Sequence, residues 1–168
     1  MTVIRPARPA DVEAIHECIV ELAVFEREPD AVTATPADLA RALFDGGDTP
    51  SGRPALYAHV AEEGGQVVGI AVWFLNYSTW TGHHGIYLED LYVRPQYRGR
   101  GIGGALMREL ATIAVERGYD RFQWWVLDWN AAAIEVYRAA GAVPMDEWTV
   151  YRLSGEALER FARGSATD

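Results

Sequence analysis

The chain has 168 residues, 49% hydrophobic and 23% charged, a profile that suits a globular domain with its own core and excludes a disulfide-stapled miniprotein or a disordered chain. Fifteen basic against 24 acidic residues give a net charge of −9, which argues against a phosphate-neutralising nucleic-acid surface and suits a cationic partner. Every basic residue is arginine, so lysine Schiff-base, lysine-nucleophile and pyridoxal-phosphate chemistry are excluded.

In chain order, Thr2-Val3-Ile4-Arg5 reads as a first strand, and Ala14, Ile15, Ile19, Leu22, Ala23 and Phe25 at helical spacing predict a helix over about 11–26. Cys18 within it is the only cysteine, which excludes an intrachain disulfide and a thiolate zinc site and makes the reducing cytoplasm the expected location. Thr35-Pro36-Ala37-Asp38 supplies a cap, a proline and a first-turn acid for a short second helix that ends at Gly46-Gly47. Residues 55–62 and 66–77 flank Gly64-Gly65 as a hairpin. Residues 76–85 break the pattern, and residues 86–93 then form a strand with Glu89 and Asp90 at its centre. Residues 101–117 carry the strongest helical pattern, closed by Gly118. A strand over 122–127, a helix over 131–140, a strand over 149–153 and a helix over 155–162 complete the chain. This order predicts one α/β domain spanning 1–168 with a mixed, partly parallel sheet. No window approaches the roughly 20 apolar residues of a membrane span, so no membrane partner is expected.

Between the 86–93 strand and the strong helix lies Arg94-Pro95-Gln96-Tyr97-Arg98-Gly99-Arg100-Gly101-Ile102-Gly103-Gly104. Glycines at a strand-to-helix junction let backbone N–H groups converge on an anion, and Arg98 and Arg100 add donors suited to a pyrophosphate. Gly99-X-Gly101-X-X-Gly104 formally matches a dinucleotide fingerprint, with Asp128 near the place of its ribose acid. However, Arg94 to Arg98 separate the strand from the first glycine, and too few residues follow to build a Rossmann sheet. A nucleotide loop of the Gly-Lys-Ser/Thr kind needs a lysine, which is lacking.

Arg98-X-X-Gly101-X-Gly103 with its flanking strand and helix resembles the acetyl-CoA-binding motif of the GNAT N-acetyltransferase superfamily. The opening Ile4-Arg5-Pro6-Ala7 with Asp11, the strand Tyr87-Leu88-Glu89-Asp90-Leu91-Tyr92-Val93, and the run from Trp129-Asn130-Ala131 through Tyr137 to Gly141-Ala142 follow that superfamily's order. Within it, the chain is most similar to the diamine (spermidine/spermine) and thialysine acetyltransferases. The resemblance implies an acyl-CoA N-acyltransferase fold, with a central, mostly antiparallel sheet that contains one parallel strand pair and is flanked by helices. It also implies a homodimer, for which the aromatic residues Trp148 and Tyr151 of the expected last strand offer an edge to pair.

Acetyl transfer from a thioester to an amine needs a neutral amine, a polarised carbonyl and a proton for the departing thiolate. By resemblance, Tyr137 is the general acid; it follows Asn130 by seven residues, two turns along one helix, and a phenol titrating near 10 is protonated at neutral pH. Glu89 contacts the amine and, directly or through water, accepts its proton. The backbone of Leu91, Tyr92 and Val93 meets the pantetheine arm. Arg98, Gly99, Arg100, Gly101, Ile102, Gly103 and Gly104 hold the pyrophosphate, and Asn130, Ala133 and Tyr137 flank the cofactor. Phe25 and Glu26, with Glu28 and Asp30 after them, Trp124 and Trp125, and Asp146-Glu147-Trp148 form the acceptor pocket, and Trp80 caps it. Phe25 stands where relatives often have tyrosine, and the 142–148 segment is shorter than theirs.

Glu89 and Asp90, adjacent on a strand, are expected on opposite faces, with Asp90 salt-bridged to an arginine. Neighbouring His83 and His84 diverge on an extended chain, so no metal site is expected, and these two with His16 and His59 read as loop polar residues. The leading reading is direct, acetyl-CoA-dependent transfer to a small cationic amine, without a cysteine acyl-enzyme. Transfer to another acceptor, such as an amino acid, an aminoglycoside or a protein amine, and a non-catalytic acyl-CoA-binding module stand beside it.

Overall fold

A computed structural model describes residues 1–46 and 49–164, in two compact units, Met1–Leu127 and a second that begins at Asp128. The first unit opens with β1 (Val3–Pro6) and α1 (Val12–Phe25). The junction is locked by Arg5, whose guanidinium donates two bonds to Asp11, at 2.7 and 2.9 Å, and one to Glu62 at 2.8 Å. Asp11 also accepts from the Arg8 amide at 2.7 Å, and these donors hold its carboxyl below the ordinary aspartate value. α1 buries Val12, Ile15 and Cys18 and stops at a reverse turn in which the Glu28 amide donates to the Ala23 carbonyl at 2.9 Å. That turn puts Arg27 at φ 69°, a left-handed conformation that a non-glycine residue adopts at an energetic cost.

Thr35 caps α2 (Pro36–Ala40) through the Asp38 amide, as its sequence predicts. The helix widens over Arg41–Asp45, and Gly46 at φ 83° closes it; Gly47 lies outside the described residues. The remaining strands are β2 (Tyr57–Glu63), β3 (Gln66–Ser78), β4 (His83–Val93) and β5 (Phe122–Trp124), with α3 (Ile102–Glu116) between the last two. They form one sheet in the order β1-β2-β3-β4-β5, antiparallel throughout except for the parallel pair β4 and β5. This is the mixed sheet flanked by helices that the element order implied.

One residue sets how β4 faces its neighbours. Trp73 pairs with Leu88 and the next residue of β3, Val72, pairs with Asp90, so Glu89 is the extra residue of a β-bulge. Before it, Ile86 and Leu88 pack on the α3 side of the sheet with Leu106 and Leu110. After it, Leu91 and Val93 take that side, while Tyr92 joins the α1 side with Ile15 and Ile70.

Several sequence expectations change. His59 is not a loop residue: it is buried on β2 and its Nδ1 accepts from the Trp73 indole at 3.2 Å. His16 lies on α1, where its ring bonds the Ala34 carbonyl at 2.8 Å. His83 and His84 begin β4, because the β3 ladder runs on to Ser78. The strand at 122–127 is confined to Phe122–Trp124, which leaves Trp125 beyond it.

The second unit contains α4 (Ala131–Ala139) and α5 (Gly155–Ala162). Residues 149–153 are not a strand there. A strand needs a backbone ladder as well as a favourable side-chain pattern, and none forms at these exposed residues.

Burial lowers the His59 imidazole below its ordinary 6.5. The unfolded chain therefore takes up that proton first, so folding stability is full above about 6.5 and is lost as pH falls toward the folded value. His59→Gln keeps an acceptor for the Trp73 indole and removes the titration. Urea unfolding midpoints should fall for the unmodified chain, relative to this variant, as pH drops from about 6.5 to 5.

Candidate active site

The glycine loop leads into an open helix start. Gly99 and Gly101 both sit at φ 75°, and Gly101 is the cap residue of α3. No side chain caps this fifteen-residue helix and no acid lies in its first turn, so its leading N–H groups keep the donor capacity that a helix start leaves unused. A Cβ on Gly103 would meet only Val93 Cγ2 at 3.8 Å, and one on Gly104 the movable tip of Arg108 at 3.3 Å. The protein does not need glycine there for its own packing, and the space left over the backbone is of the kind that lets an anion approach closely.

The two loop arginines, expected as pyrophosphate donors, are each engaged within the protein. Arg100 pairs with Glu63 at 2.9 Å and lies over the Tyr97 ring. Arg98 donates Nε to the Val93 carbonyl at 2.8 Å, with its guanidinium carbon 5.0 Å from the Phe25 ring centroid and 5.3 Å from that of Tyr92.

Beside the loop, β4 loses a neighbour. Its ladder with β5 ends at Leu88 and Trp124, whereas its ladder with β3 continues to Val93 and Gly69. Over Glu89–Val93, one strand edge is therefore without a partner strand among the described residues, which leaves backbone groups to bond an extended ligand. Leu91, Tyr92 and Val93 all lie on that edge.

Asp90 pairs across the sheet with Val72 on the α1 side. It forms no salt bridge among the described residues, contrary to expectation. Burial, the Glu89 carboxylate and the Glu26 carboxylate, in that order, push its carboxyl up to about 6. Glu26, which follows the last residue of α1, is itself raised by burial. The expectation that Glu89 and Asp90 lie on opposite faces assumed strict alternation, which the bulge at Glu89 interrupts. Glu26 and Glu89 thus both bring like charge to Asp90, and sequence periodicity carries no signal for Asp90's part in this group.

The tryptophans divide. Trp124 packs into the α3-side core, 4.9 Å from the Phe122 ring centroid, on the face opposite Asp90. Trp125 meets Tyr87 edge-on at 5.8 Å, and Trp80 is almost fully exposed in the turn before β4.

In the second unit, Asn130 caps α4 by accepting from the Ala133 amide at 3.3 Å. Asn130, Ala133 and Tyr137 share one helix face and are the partly buried positions along it with Ile134. Asp146 and Glu147 are exposed in an irregular segment. Among the described residues, no group of three potential metal ligands occurs, and no helix is long and apolar enough to cross a membrane.

Comparison with known proteins converges with this geometry. The model of the Acetyltransferase (GNAT) family matches residues 18–142, a span that crosses the boundary between the two units. A thialysine N-epsilon-acetyltransferase of Bos taurus is 37% identical over 95% of this chain and 96% of its own length. The human spermidine/spermine N(1)-acetyltransferase-like protein 1 is 35% identical over 92% of this chain and 23% of its own length. Among solved structures, an integron cassette protein from the mobile metagenome of V. cholerae superposes with a TM-score of 0.78 at 26% identity, covering 96% of this chain and 98% of that one. An uncapped, glycine-lined helix start beside an unpaired strand edge, and similarity along nearly the whole sequence, lead to one conclusion: the chain belongs to the GNAT acetyltransferase family.

Proposed function

We propose that this acetyltransferase moves the acetyl group of acetyl-CoA directly onto a small cationic amine, a polyamine, diamine or lysine-like molecule such as thialysine. The observation that carries the reading is the like charge that Glu26 and Glu89 bring to Asp90, which forms no salt bridge among the described residues, next to a strand edge and a helix start suited to an acyl-CoA. Carboxylates held together against their own repulsion are stabilised by a bound cation, and the relatives named above act on amines of that kind.

In this reading, the pyrophosphate takes the α3 start with Arg98 to Gly104, and the pantetheine arm runs along Leu91 to Val93. Phe25 and Glu26, the carboxylates of β4 and Trp125 surround the acceptor, whereas Trp124 belongs to the α3-side core on the other face. Glu89 accepts a proton from the ammonium group, directly or through water. The neutral nitrogen then attacks the thioester carbonyl, a C–N bond forms, and backbone N–H groups of the β4 edge stabilise the oxyanion. Collapse breaks the C–S bond, the thiolate takes the proton of the Tyr137 phenol, and the remaining extra proton of the acylated nitrogen passes to that phenolate. Asn130 and Ala133 orient the helix that carries Tyr137. Cys18 suits no acyl-enzyme, because it is fully buried and burial raises its thiol above the ordinary value. The chain acts as a cytoplasmic homodimer.

Release of free thiol from acetyl-CoA, followed against spermidine, spermine, putrescine, thialysine, lysine, an aminoglycoside and a histone-tail peptide, tests the function. Selective turnover of a small polycation is expected; turnover of the aminoglycoside or peptide alone overturns the acceptor class. Tyr137→Phe should lower kcat by about a hundredfold or more with little change in acceptor KM. Unchanged turnover removes the general-acid role.

Asp90→Asn tests the carboxylate group. A folded pKa of about 6, above the unfolded value, means that protonated Asp90 favours the fold below about 4 and that this contribution is lost as pH rises through 6. The asparagine should therefore stabilise the protein at pH 7.5 by on the order of 2 kcal/mol, with the gain gone near pH 4, while the acceptor KM rises. Denaturant unfolding at the two pH values, paired with amine saturation curves, measures both effects.

A further inference from the structure

Arg98 leaves the glycine loop and reaches the end of α1. Its guanidinium carbon is 5.0 Å from the Phe25 ring centroid and 5.3 Å from that of Tyr92, and its Nε bonds the Val93 carbonyl at 2.8 Å. Phe25 is the last residue of α1, and the turn after it is fixed by the Glu28 amide on the Ala23 carbonyl and by the left-handed Arg27. Two turns earlier on the same helix, Glu17 meets Arg94 at 2.7 Å. Arg94 and Arg98 thus both bind the segment after β4 to α1, and the second contact joins a loop suited to pyrophosphate to a residue on the opposite, amine-facing side.

We propose that Phe25 is a positioning residue for the acetyl donor. Its ring, with that of Tyr92, holds the Arg98 guanidinium in one orientation, so that the N–H groups not engaged by Val93 are set for the pyrophosphate before it arrives. An arginine side chain samples many rotamers in solution, and a planar cation seated on aromatic faces loses that freedom before the ligand binds. The inference rests on the reading of Arg98 as a pyrophosphate ligand. It adds that donor affinity is set partly by α1, a helix outside the glycine loop. Because binding couplings are reciprocal, filling the loop also steadies the end of α1 next to Glu26.

Calorimetric titration with CoA, which carries no acetyl group and so undergoes no turnover, tests this in the unmodified chain and in the variants Phe25→Tyr, Phe25→Leu, Phe25→Met, Arg98→Gln and Phe25→Leu/Arg98→Gln. Phe25→Tyr keeps the aromatic face and should bind CoA as the unmodified chain does. Phe25→Leu should weaken CoA by about threefold to fivefold, the scale of one partly exposed cation–π contact. Added to Arg98→Gln, the same substitution should change nothing further. A purely structural role for the ring would instead weaken CoA equally in both backgrounds. Phe25→Met, closer in volume, replaces leucine if that variant melts early. Phe25→Leu at unmodified affinity, or an equal loss in the Arg98→Gln background, overturns the proposal while CoA binding through Arg98 stands. If Arg98→Gln binds CoA as tightly as the unmodified chain, or if the unmodified chain does not bind CoA, the pyrophosphate reading itself fails and the proposal with it.

Discussion

The extra residue in β4 is the constraint on which the site depends. Inserting Glu89 between the Leu88 and Asp90 pairings moves every later side chain of the strand to the other face. With strict alternation, Asp90 would share the face of Leu88 and lie against Leu106 and Leu110, a dry setting where a carboxylate has no compensation. The bulge sends Leu91 and Val93 there instead and turns Asp90 toward α1, where Glu26 ends the helix. It also coincides with the point where β5 stops pairing, so the same few residues present both an open backbone edge and a group of carboxylates.

Two aspartates show how this chain treats buried charge. Asp11 is enclosed by the Arg5 guanidinium and the Arg8 amide, and its carboxyl is lowered; it binds β1 to the start of α1. Asp90 is enclosed by apolar neighbours and like charge, and its carboxyl is raised to about 6. The first arrangement stabilises the fold at neutral pH and the second opposes it. A fold that retains the second kind of contact carries electrostatic energy that a bound cation would release. The same logic separates the arginines: Arg5 and Arg94 are structural clamps, whereas Arg98 and Arg100 belong to a loop whose glycines leave room for a phosphate.

Much of this was legible in the sequence because the information is local. Glycine at 99 and 101 marks positive φ, Thr35-Pro36 marks a helix start, and the apolar periods of α1 and α3 mark buried faces. The family resemblance carried by Arg98 to Gly104, by the strand from Tyr87 to Val93 and by the run around Asn130 and Tyr137 holds along nearly the whole chain. Its errors share a cause. His59 reads as polar until the sheet buries it, and residues 149–153 read as a strand although no neighbouring backbone pairs with them.

The sequence by itself determined most of the element order in the first unit, the glycine-rich strand-to-helix loop, the lack of any lysine, and the family. Only the tertiary structure decided that Asp90 forms no salt bridge among the described residues, that Arg98 rests on Phe25, and that Trp124 faces the core. The physical reason is that desolvation, charge–charge repulsion and ring contacts depend on residues distant in sequence: Asp90 on Glu26, Arg98 on Phe25, Trp124 on α3. A single inserted residue in β4 put Asp90 on the α1 side of the sheet.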